Sequence, residues 1–383
     1  MDNMSLAGVV AGVLDLFHPR PMSMTEIPGF PKDRRPGRAA ASNATGRYER
    51  HDRVAVDDGW AVEQALPALR TEVRDERPRS VITRNTSPDV PFDRSLNPYR
   101  GCEHGCIYCF ARPTHAWLGL SPGLDFETRL IARPGAARQL DRELSGKSYR
   151  AKVLAIGTNT DPYQPIERDR QIMREVLEVL RDHRHPVGVV TKGALVERDV
   201  EILAEMAGQG LAQVGISVTS LDAKLSRAME PRAPTPARRL KAIRLLAEAG
   251  VPVRVMVAPV VPALTDAELE AILTAAAEAG AQAASWIMLR LPLEVSGLFR
   301  DWLTEHYPQR AGRVMARLRE MHGGKDYSAD WGRRMRGQGH YARLIAARFD
   351  VAVRRLGLAK TLPELRTDLF RVPPKPGDQL ELF

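Results

Sequence analysis

The residues best suited to chemistry are Cys102, Cys106 and Cys109, which are all the cysteines of the chain and form the pattern C-x3-C-x2-C. Three thiolates so close together indicate one metal site. A mononuclear zinc ion prefers four protein ligands, and a [4Fe-4S] cluster ordinarily takes four cysteines. Three thiolates therefore leave one position open, where a small molecule can bind and react. A Cys3His zinc site that uses His104 or His115 is the alternative.

The elements that must position this loop are short apolar runs that alternate with helical patterns. The runs are rich in β-branched residues and do not alternate with polar ones, as in parallel strands buried on both faces. Strands are predicted at 95–97, 153–156, 187–190, 214–218, 253–257 and 285–289. Repeated βα units of this number form a doubly wound sheet or a full or partial barrel. In both, chemistry gathers at the carboxyl ends of the strands, where the cysteine loop also lies.

Four regions are expected along the chain. An irregular basic N-terminal arm spans 1–75, and the α/β region spans 76–295. A helical C-terminal region follows at 296–370, and 371–383 is a flexible tail. Thr265 and Glu268 have the spacing of a capping box and predict a helix start.

Composition limits the class of protein. The chain has 383 residues, a net charge of +9 and a pI near 9.7, a balance that favours contact with a polyanion. No apolar run approaches the roughly 20 residues that span a bilayer. The odd number of cysteines and the lack of a convincing export signal favour a reducing, cytoplasmic setting.

With Tyr108 just before the third cysteine and βα repeats behind it, the cysteine loop resembles that of the radical S-adenosylmethionine (SAM) enzymes. The resemblance implies an α/β fold with a partial (β/α)6 TIM-type barrel. It implies a [4Fe-4S] cluster on the three cysteines, with SAM on the open iron. It further implies a flavodoxin- or ferredoxin-type reductant and cleavage of SAM to a 5′-deoxyadenosyl radical that removes hydrogen from a substrate.

The resemblance also implies SAM contacts at the carboxyl ends of the later strands. Thr158 and Asn159 are expected to meet the amino group of SAM, and Lys192 its carboxylate or a substrate phosphate. Ser217 would reach the ribose, and the end of the fifth strand would lie against adenine. The full expected set is Tyr108, Thr158, Asn159, Lys192, Ser217, Val257 and Pro259.

Within that family, the segments NPYRGC (97–102) and TDPYQP (160–165) look most like the spore photoproduct lyase-like branch, over roughly residues 80–295. That branch implies DNA-lesion repair. The lyase uses an additional cysteine to return hydrogen, and this chain has none, so Tyr108 or Tyr163 is the candidate relay. Asp161 and Gln164 are expected to shape the substrate side. The alternatives are modification of RNA or a small metabolite, or a non-catalytic metal module that binds nucleic acid.

The last five residues resemble the peptide by which bacterial replication and repair proteins bind the sliding clamp. Leu382 and Phe383 would fill an apolar groove, and Gln379 would act as a polar anchor beside Leu380. The Pro-rich segment before them would be the tether. This pattern predicts a partner in DNA metabolism.

Overall fold

The computed structural model describes residues 35–49 and 69–374, and this part of the chain is built on a seven-stranded and a three-stranded sheet. The larger sheet has the order β10-β9-β8-β7-β6-β3-β2, and the smaller one the order β1-β5-β4. In chain order the strands are β1 (Glu72–Asp75), β2 (Thr83–Arg84), β3 (Arg94–Leu96), β4 (Tyr99–Arg100), β5 (Arg129–Ala132), β6 (Leu154–Ile156), β7 (Val187–Thr191), β8 (Ala212–Ser217), β9 (Val253–Val260) and β10 (Ala283–Met288).

The larger sheet decides between the two predicted architectures. Strands β3, β6, β7, β8, β9 and β10 pair in parallel, each with the next along the chain. A doubly wound sheet would reverse this order at its switch point, whereas a barrel does not. In the described residues β10 forms one edge, and β2 closes the other edge antiparallel to β3. The predicted α/β fold with a partial barrel is therefore confirmed.

Helices connect the parallel strands. These segments form amphipathic helices because their apolar residues recur on one face. In chain order they are α1 (Leu124–Thr128), α2 (Ala136–Leu144), α3 (Glu167–Arg170), α4 (Ile172–Asp182), α5 (Val200–Gly208), α6 (Ala223–Met229), α7 (Pro236–Glu248), α8 (Leu269–Glu278), α9 (Glu294–His306), α10 (Pro308–Met321) and α11 (Gly339–Arg355). The apolar periodicity of residues 168–181 is typical of a single helix, but Gln171 takes a left-handed φ of 52° and separates α3 from α4.

The helical region expected after the barrel is present as α9, α10 and α11. Trp302 of α9 donates a hydrogen bond of 3.0 Å to the Ala228 carbonyl of α6, and Phe349 of α11 packs against Trp286 of β10. The region is thus docked on the barrel. The region boundaries assigned from the sequence stay predictions. Within residues 35–49 and 69–374, no helix is long and apolar enough to cross a bilayer.

The smaller sheet holds the segment that leads into the cysteine loop. β4, which ends two residues before Cys102, pairs antiparallel with β5, and β5 pairs in parallel with β1. β1 lies inside the segment that the sequence predicts to be irregular. Residues 35–49 contact α1, which leads into β5, because Arg38 donates a hydrogen bond of 2.8 Å to the Glu127 carbonyl.

The capping box predicted from Thr265 and Glu268 is wrong. Thr265 accepts a hydrogen bond from the Val261 amide instead of capping the helix start. Glu268 reaches across to β8 and accepts hydrogen bonds from the Ser220 hydroxyl at 2.8 Å and the Leu221 amide at 2.6 Å. A long-range partner at the end of β8 has taken the carboxylate that the local pattern assigned to the helix.

Candidate active site

The cysteine loop lies at the carboxyl edge of the barrel, between β4 and a 3-10 helix at Arg112–Leu118. Cys102 and Cys106 are buried, Cys109 is partly buried, and all three are free thiols. Two backbone hydrogen bonds of 3.0 Å fasten the loop, from the Cys102 amide to Phe126 and from the Ile107 amide to Met229. Its position at the strand ends is therefore fixed by α1 on one side and α6 on the other.

The thiols influence one another electrostatically. Burial raises the pKa of Cys106 to about 12, and the Glu230 carboxylate adds to the rise. Burial also raises the pKa of Cys102, to which Asp161 and the other two thiols contribute. Thiols in this setting need a nearby positive charge to ionise, and a bound iron supplies such a charge. Three unbridged thiols, two of them buried, that lie close enough to influence one another's charge fit a shared metal cluster.

The arrangement does not fit a mononuclear zinc ion. Zinc requires its ligands to converge within about 2.0–2.3 Å of one point. In the part of the chain that the structure describes, no three His, Cys, Asp or Glu side chains do so. His115 is turned to the Arg129 carbonyl at 2.9 Å, and His104 lies 3.3 Å from Asp161. A four-iron cluster distributes its thiolates over separate irons and so has no need of one convergence point.

Two buried side chains hold the loop in shape. Arg112 donates to the carbonyls of Gly105 and Cys106 at 3.0 and 2.9 Å, and it pairs with Glu127 at 2.6 Å. Gln164 accepts from the Glu103 amide at 2.8 Å and donates to the Gly101 carbonyl at 3.2 Å. These bonds satisfy loop groups that would otherwise be buried without partners.

Close approach of the backbone explains two glycines at this edge. Gly157, directly after β6, has a φ of 86°, and a Cβ there would lie 1.9 Å from the Val190 carbonyl oxygen. Gly101 has a φ of 76°, and a Cβ would lie 2.6 Å from Leu130. Only glycine has both the positive φ and the clearance at these positions.

Asp161 joins the loop after β6 to the end of β7. It accepts hydrogen bonds from the Thr191 hydroxyl at 2.5 Å and the Lys192 amide at 2.7 Å after β7. It also accepts from the Tyr163 amide at 2.9 Å. Burial would raise the pKa of Asp161, but His104 and these donors lower it to about 2. An ionised Asp161 thus fixes the loop after β6 to the end of β7, which is a different role from the substrate contact predicted.

A buried ionic network lies beneath the loop. The Tyr108 hydroxyl donates to Glu230, whose other oxygen pairs with Arg239, and Thr219 donates to Glu230 at 2.8 Å. Arg239 also donates to the Ser217 carbonyl at 3.1 Å. Burial alone would raise the pKa of Glu230, but chiefly Arg239, with Lys192 and the hydrogen bonds, lowers it to about 2. No sequence signal pointed to this pair, because Glu230, just after α6, and Arg239, within α7, belong to no recognisable motif.

The predicted SAM contacts lie around the same edge. Within the described ranges, the side chains of Thr158 and Asn159 are half-buried and form no hydrogen bond. The Lys192 ammonium lies 5.8 Å from the centre of the Tyr108 ring. Ser217 is buried at the end of β8, Val257 is buried within β9, and Pro259, nearer the end of β9, is partly buried. Their assignment to parts of SAM stays a prediction.

Tyr163 and Gln164 differ from the roles expected of them. The Tyr163 hydroxyl donates to Asp199 at 3.1 Å, beneath the sheet edge, so it is not directed at the cysteine loop. Its contacts give it a structural role, and we do not retain it as a hydrogen relay. Gln164 is fully buried against the loop backbone and so is not available to a substrate. Both side chains follow β6, and the sequence could not tell which way each one points.

Comparison with known proteins defines the class. A family model for the radical SAM superfamily matches residues 96–276. An uncharacterised protein of Mycobacterium tuberculosis is 39% identical over 235 residues, which are 61% of this chain and 68% of the relative. Another, of Methanocaldococcus jannaschii, is 26% identical over 214 residues, covering 56% and 76%. The chain belongs to the radical SAM superfamily, as its cysteine loop indicated. Its cofactors are accordingly a [4Fe-4S] cluster and SAM.

Solved structures show the same fold. Spore photoproduct lyase complexed with dinucleoside spore photoproduct has a TM-score of 0.54 against this chain, covering 75% of it and 81% of the lyase. A mutant of that lyase gives a TM-score of 0.53 over similar shares. Sequence identity is 15% and 16% in these two comparisons. At such identities the likeness concerns the arrangement of strands and helices.

Proposed function

We propose that this protein is a radical SAM enzyme that removes a hydrogen atom from a nucleic-acid substrate. The observation that carries the proposal is the set of three free, mutually interacting thiols at the carboxyl edge of the barrel. The unbonded side chains of Thr158 and Asn159 follow β6, which pairs with β3 at that edge. When bound, the cluster and SAM supply one-electron cleavage of a C–S bond and a carbon radical that takes hydrogen.

The protein's own residues hold and orient these groups. Cys102, Cys106 and Cys109 are the proposed ligands. Thr158 and Asn159 have free hydrogen-bonding groups for the amino acid part of SAM, and the Lys192 ammonium is an available cation for its carboxylate. Burial of the loop excludes water, which protects a reactive radical from side reactions.

Two features support a nucleic-acid substrate. The net charge of +9 favours a polyanion. The fold is shared with a lyase whose structure holds a dinucleoside photoproduct, so a lyase-like repair reaction on DNA is the specific form of the proposal. The chain has no fourth cysteine for hydrogen return. A relay through Tyr108 stays a prediction, and it requires the hydroxyl to leave Glu230.

The test is anaerobic reconstitution followed by assay of SAM cleavage under a chemical reductant. We expect iron and sulfide in about a four-to-four ratio per chain and formation of 5′-deoxyadenosine. Irradiated DNA, undamaged DNA and RNA are compared as substrates, with product mass analysis. The Cys106→Ala variant is the control that should lose cluster and cleavage together. Absence of 5′-deoxyadenosine from a fully reconstituted sample would overturn the enzyme proposal. Because splitting a thymine dimer leaves the mass of the intact strand unchanged, the nucleic acids are digested to nucleosides before mass analysis. Digests of all three nucleic acids that are unchanged after the reaction would overturn the substrate.

The sliding-clamp contact is a separate proposal. The residues concerned, Gln379, Leu380, Leu382 and Phe383, lie outside the part of the chain that the structure describes. A pull-down with purified clamp compares the parent chain with a variant that carries Leu382→Ala and Phe383→Ala. Capture of the parent and loss of the variant are expected. Failure to capture the parent ends this proposal and leaves the reaction untouched.

A further inference from the structure

Exposed aromatic side chains gather beside the cysteine loop. Phe110 directly follows Cys109 and is 41% exposed. Trp117, on the 3-10 helix behind the loop, is 74% exposed, and the ring of Tyr48 lies 5.5 Å from it. Trp331, before α11, is 56% exposed. Large aromatic rings ordinarily bury most of their area, so rings left in solvent at one edge mark an interaction site.

Arginines cover three of these rings. The Arg290 guanidinium lies 4.0 Å from the centre of the Phe110 ring, and that of Arg334 lies 4.3 Å from Trp331. Arg47 lies 5.4 Å from the ring of Tyr48. Each pair offers a flat apolar face beside a positive charge. This is the pairing of groups that recognises a base and its phosphate together.

The pairs belong to one continuous surface. Arg47 forms an ion pair of 2.6 Å with Glu294, four residues beyond Arg290, and so brings Tyr48 to the segment after β10. Arg290 in turn lies within electrostatic reach of both Cys109 and Arg334. We call this the aromatic–arginine surface, and its members are Tyr48, Phe110, Trp117, Arg290, Trp331 and Arg334. This surface lies beside the cysteine loop, because Phe110 directly follows Cys109 and Arg290 is within electrostatic reach of it.

Arg290 is the cation left available on this surface. Arg334 is paired with Asp89 at 2.6 Å, and Arg47 is paired with Glu294. Within residues 35–49 and 69–374, Arg290 forms neither a hydrogen bond nor an ion pair, although it is half-buried. The Asp89 carboxylate lies within electrostatic reach of Arg290 but is bonded to Arg334, so the Arg290 guanidinium keeps its hydrogen-bond donors for an anion such as a phosphate.

We propose that the aromatic–arginine surface binds single-stranded or locally unpaired nucleic acid, stacks exposed bases on Trp117 and Trp331, and brings a phosphate to Arg290 beside the cysteine loop. This rests on the proposed function and names the form of its substrate. Unpaired strands are favoured over duplex because rings can stack only on base faces that are not already stacked. A protein partner would also use aromatic rings, but the net charge of +9 and the free arginine favour a polyanion.

The test is fluorescence anisotropy with a labelled oligonucleotide of about 12 nucleotides, as DNA and as RNA, against the matching duplex. Trp117→Ala and Trp331→Ala should each weaken binding of the single strand at least about fivefold. Trp117→Phe keeps a stacking face and should bind within about twofold of the parent. Arg290→Met should weaken binding and lower the salt dependence by about one phosphate contact.

The matched control is Leu344→Ala, which removes an apolar side chain, 52% exposed, from α11 away from the loop. It should bind like the parent, and circular dichroism checks that every variant is folded. The proposal is overturned if the parent binds neither oligonucleotide, if duplex binds as tightly as single strand, or if both tryptophan variants bind like the parent.

Formation of 5′-deoxyadenosine by the parent without nucleic acid separates this inference from the proposed reaction. Cleavage of SAM together with unaltered binding by the tryptophan variants rejects the surface and keeps the chemistry. Binding that depends on the two tryptophans in a protein that never cleaves SAM keeps the surface and rejects the chemistry.

Discussion

The side-chain oxygen of Gln164 accepts a hydrogen bond of 2.8 Å from the backbone amide of Glu103, the residue after the first cysteine. The amide nitrogen of the same side chain donates to the Gly101 carbonyl, the residue before that cysteine. One buried side chain after β6 therefore holds the backbone on both sides of a proposed iron ligand. The conformation of the loop depends on this contact.

Gln164→Ala should destabilise the protein and weaken its hold on iron. It leaves a buried N–H and a buried C=O without partners, at a cost of about 1–3 kcal/mol each. Denaturant unfolding of the apoprotein and iron per chain after reconstitution measure the two effects. The exposed Gln282→Ala is the matched control. It should change the free energy of unfolding by less than about 0.5 kcal/mol and leave the iron content per chain as in the parent. Equal behaviour of the two variants would show that Gln164 is not needed.

Glu230→Gln should lower the free energy of unfolding by about 3–5 kcal/mol, because it leaves the buried Arg239 charge unpaired. Adding Arg239→Met to the Glu230→Gln variant should recover part of the lost stability, since the double variant no longer buries a charge at this site. Glu320→Gln breaks the surface pair with Arg317, whose side chains are 40% and 47% exposed. That control should cost less than about 1 kcal/mol. If Glu230→Gln lowers the free energy of unfolding as little as Glu320→Gln does, the buried ion pair does not stabilise the protein.

Lys192→Met should weaken SAM binding about 10- to 100-fold, if the ammonium meets the SAM carboxylate. Equilibrium binding to the reconstituted protein measures the change. The exposed Lys224→Met, on α6, is the control of equal charge change. A substrate phosphate is the alternative partner that the sequence analysis predicts for Lys192. Normal SAM binding together with weakened oligonucleotide binding would select that second partner.

His185 should make the fold sensitive to acid. Its Nδ1 lies 3.0 Å from the Pro186 carbonyl, which can only accept, so Nδ1 carries a proton. Burial favours the neutral ring, in which Nε2 accepts from the Tyr149 hydroxyl at 2.8 Å. Burial lowers the pKa of His185 from 6.5 to about 4. Between these values the unfolded chain binds more protons than the folded one, so stability falls as pH drops from about 6.5 to 4. The loss attributable to this group is on the order of 3 kcal/mol.

His185→Gln tests this contribution. The variant should be less stable than the parent at pH 7, because the buried ring packs against Phe370 and Tyr149. Its stability should decline less steeply than that of the parent between pH 6.5 and 4. Denaturant unfolding of both apoproteins across that pH range gives the difference between their free energies of unfolding. Groups that titrate alike in the two proteins do not contribute to this difference. Parallel curves for the two proteins would assign the acid sensitivity to other groups.

Short-range patterns in the amino-acid sequence predict several features of this protein. The spacing of Cys102, Cys106 and Cys109, with Tyr108 just before the third cysteine, is enough to identify the superfamily. β-Branched runs and helical periodicity located all six parallel strands to within a few residues, because buried parallel strands and amphipathic helices each have a recognisable short-range pattern. Where one local pattern failed, at Thr265 and Glu268, a distant backbone had taken the carboxylate.

The distant residues that support the loop are brought to it by the fold, and the sequence does not reveal them. Gln164 and Glu230 lie 61 and 122 positions from the loop residues that they bond, and no short-range pattern reports such pairs. The fold likewise turned the Tyr163 hydroxyl toward Asp199 and brought the separate segments of the aromatic–arginine surface together. The sequence could supply the ligands of the site because they are neighbours in the chain. Their supports and the substrate surface required the fold, because strand order and helix packing alone bring those residues within reach.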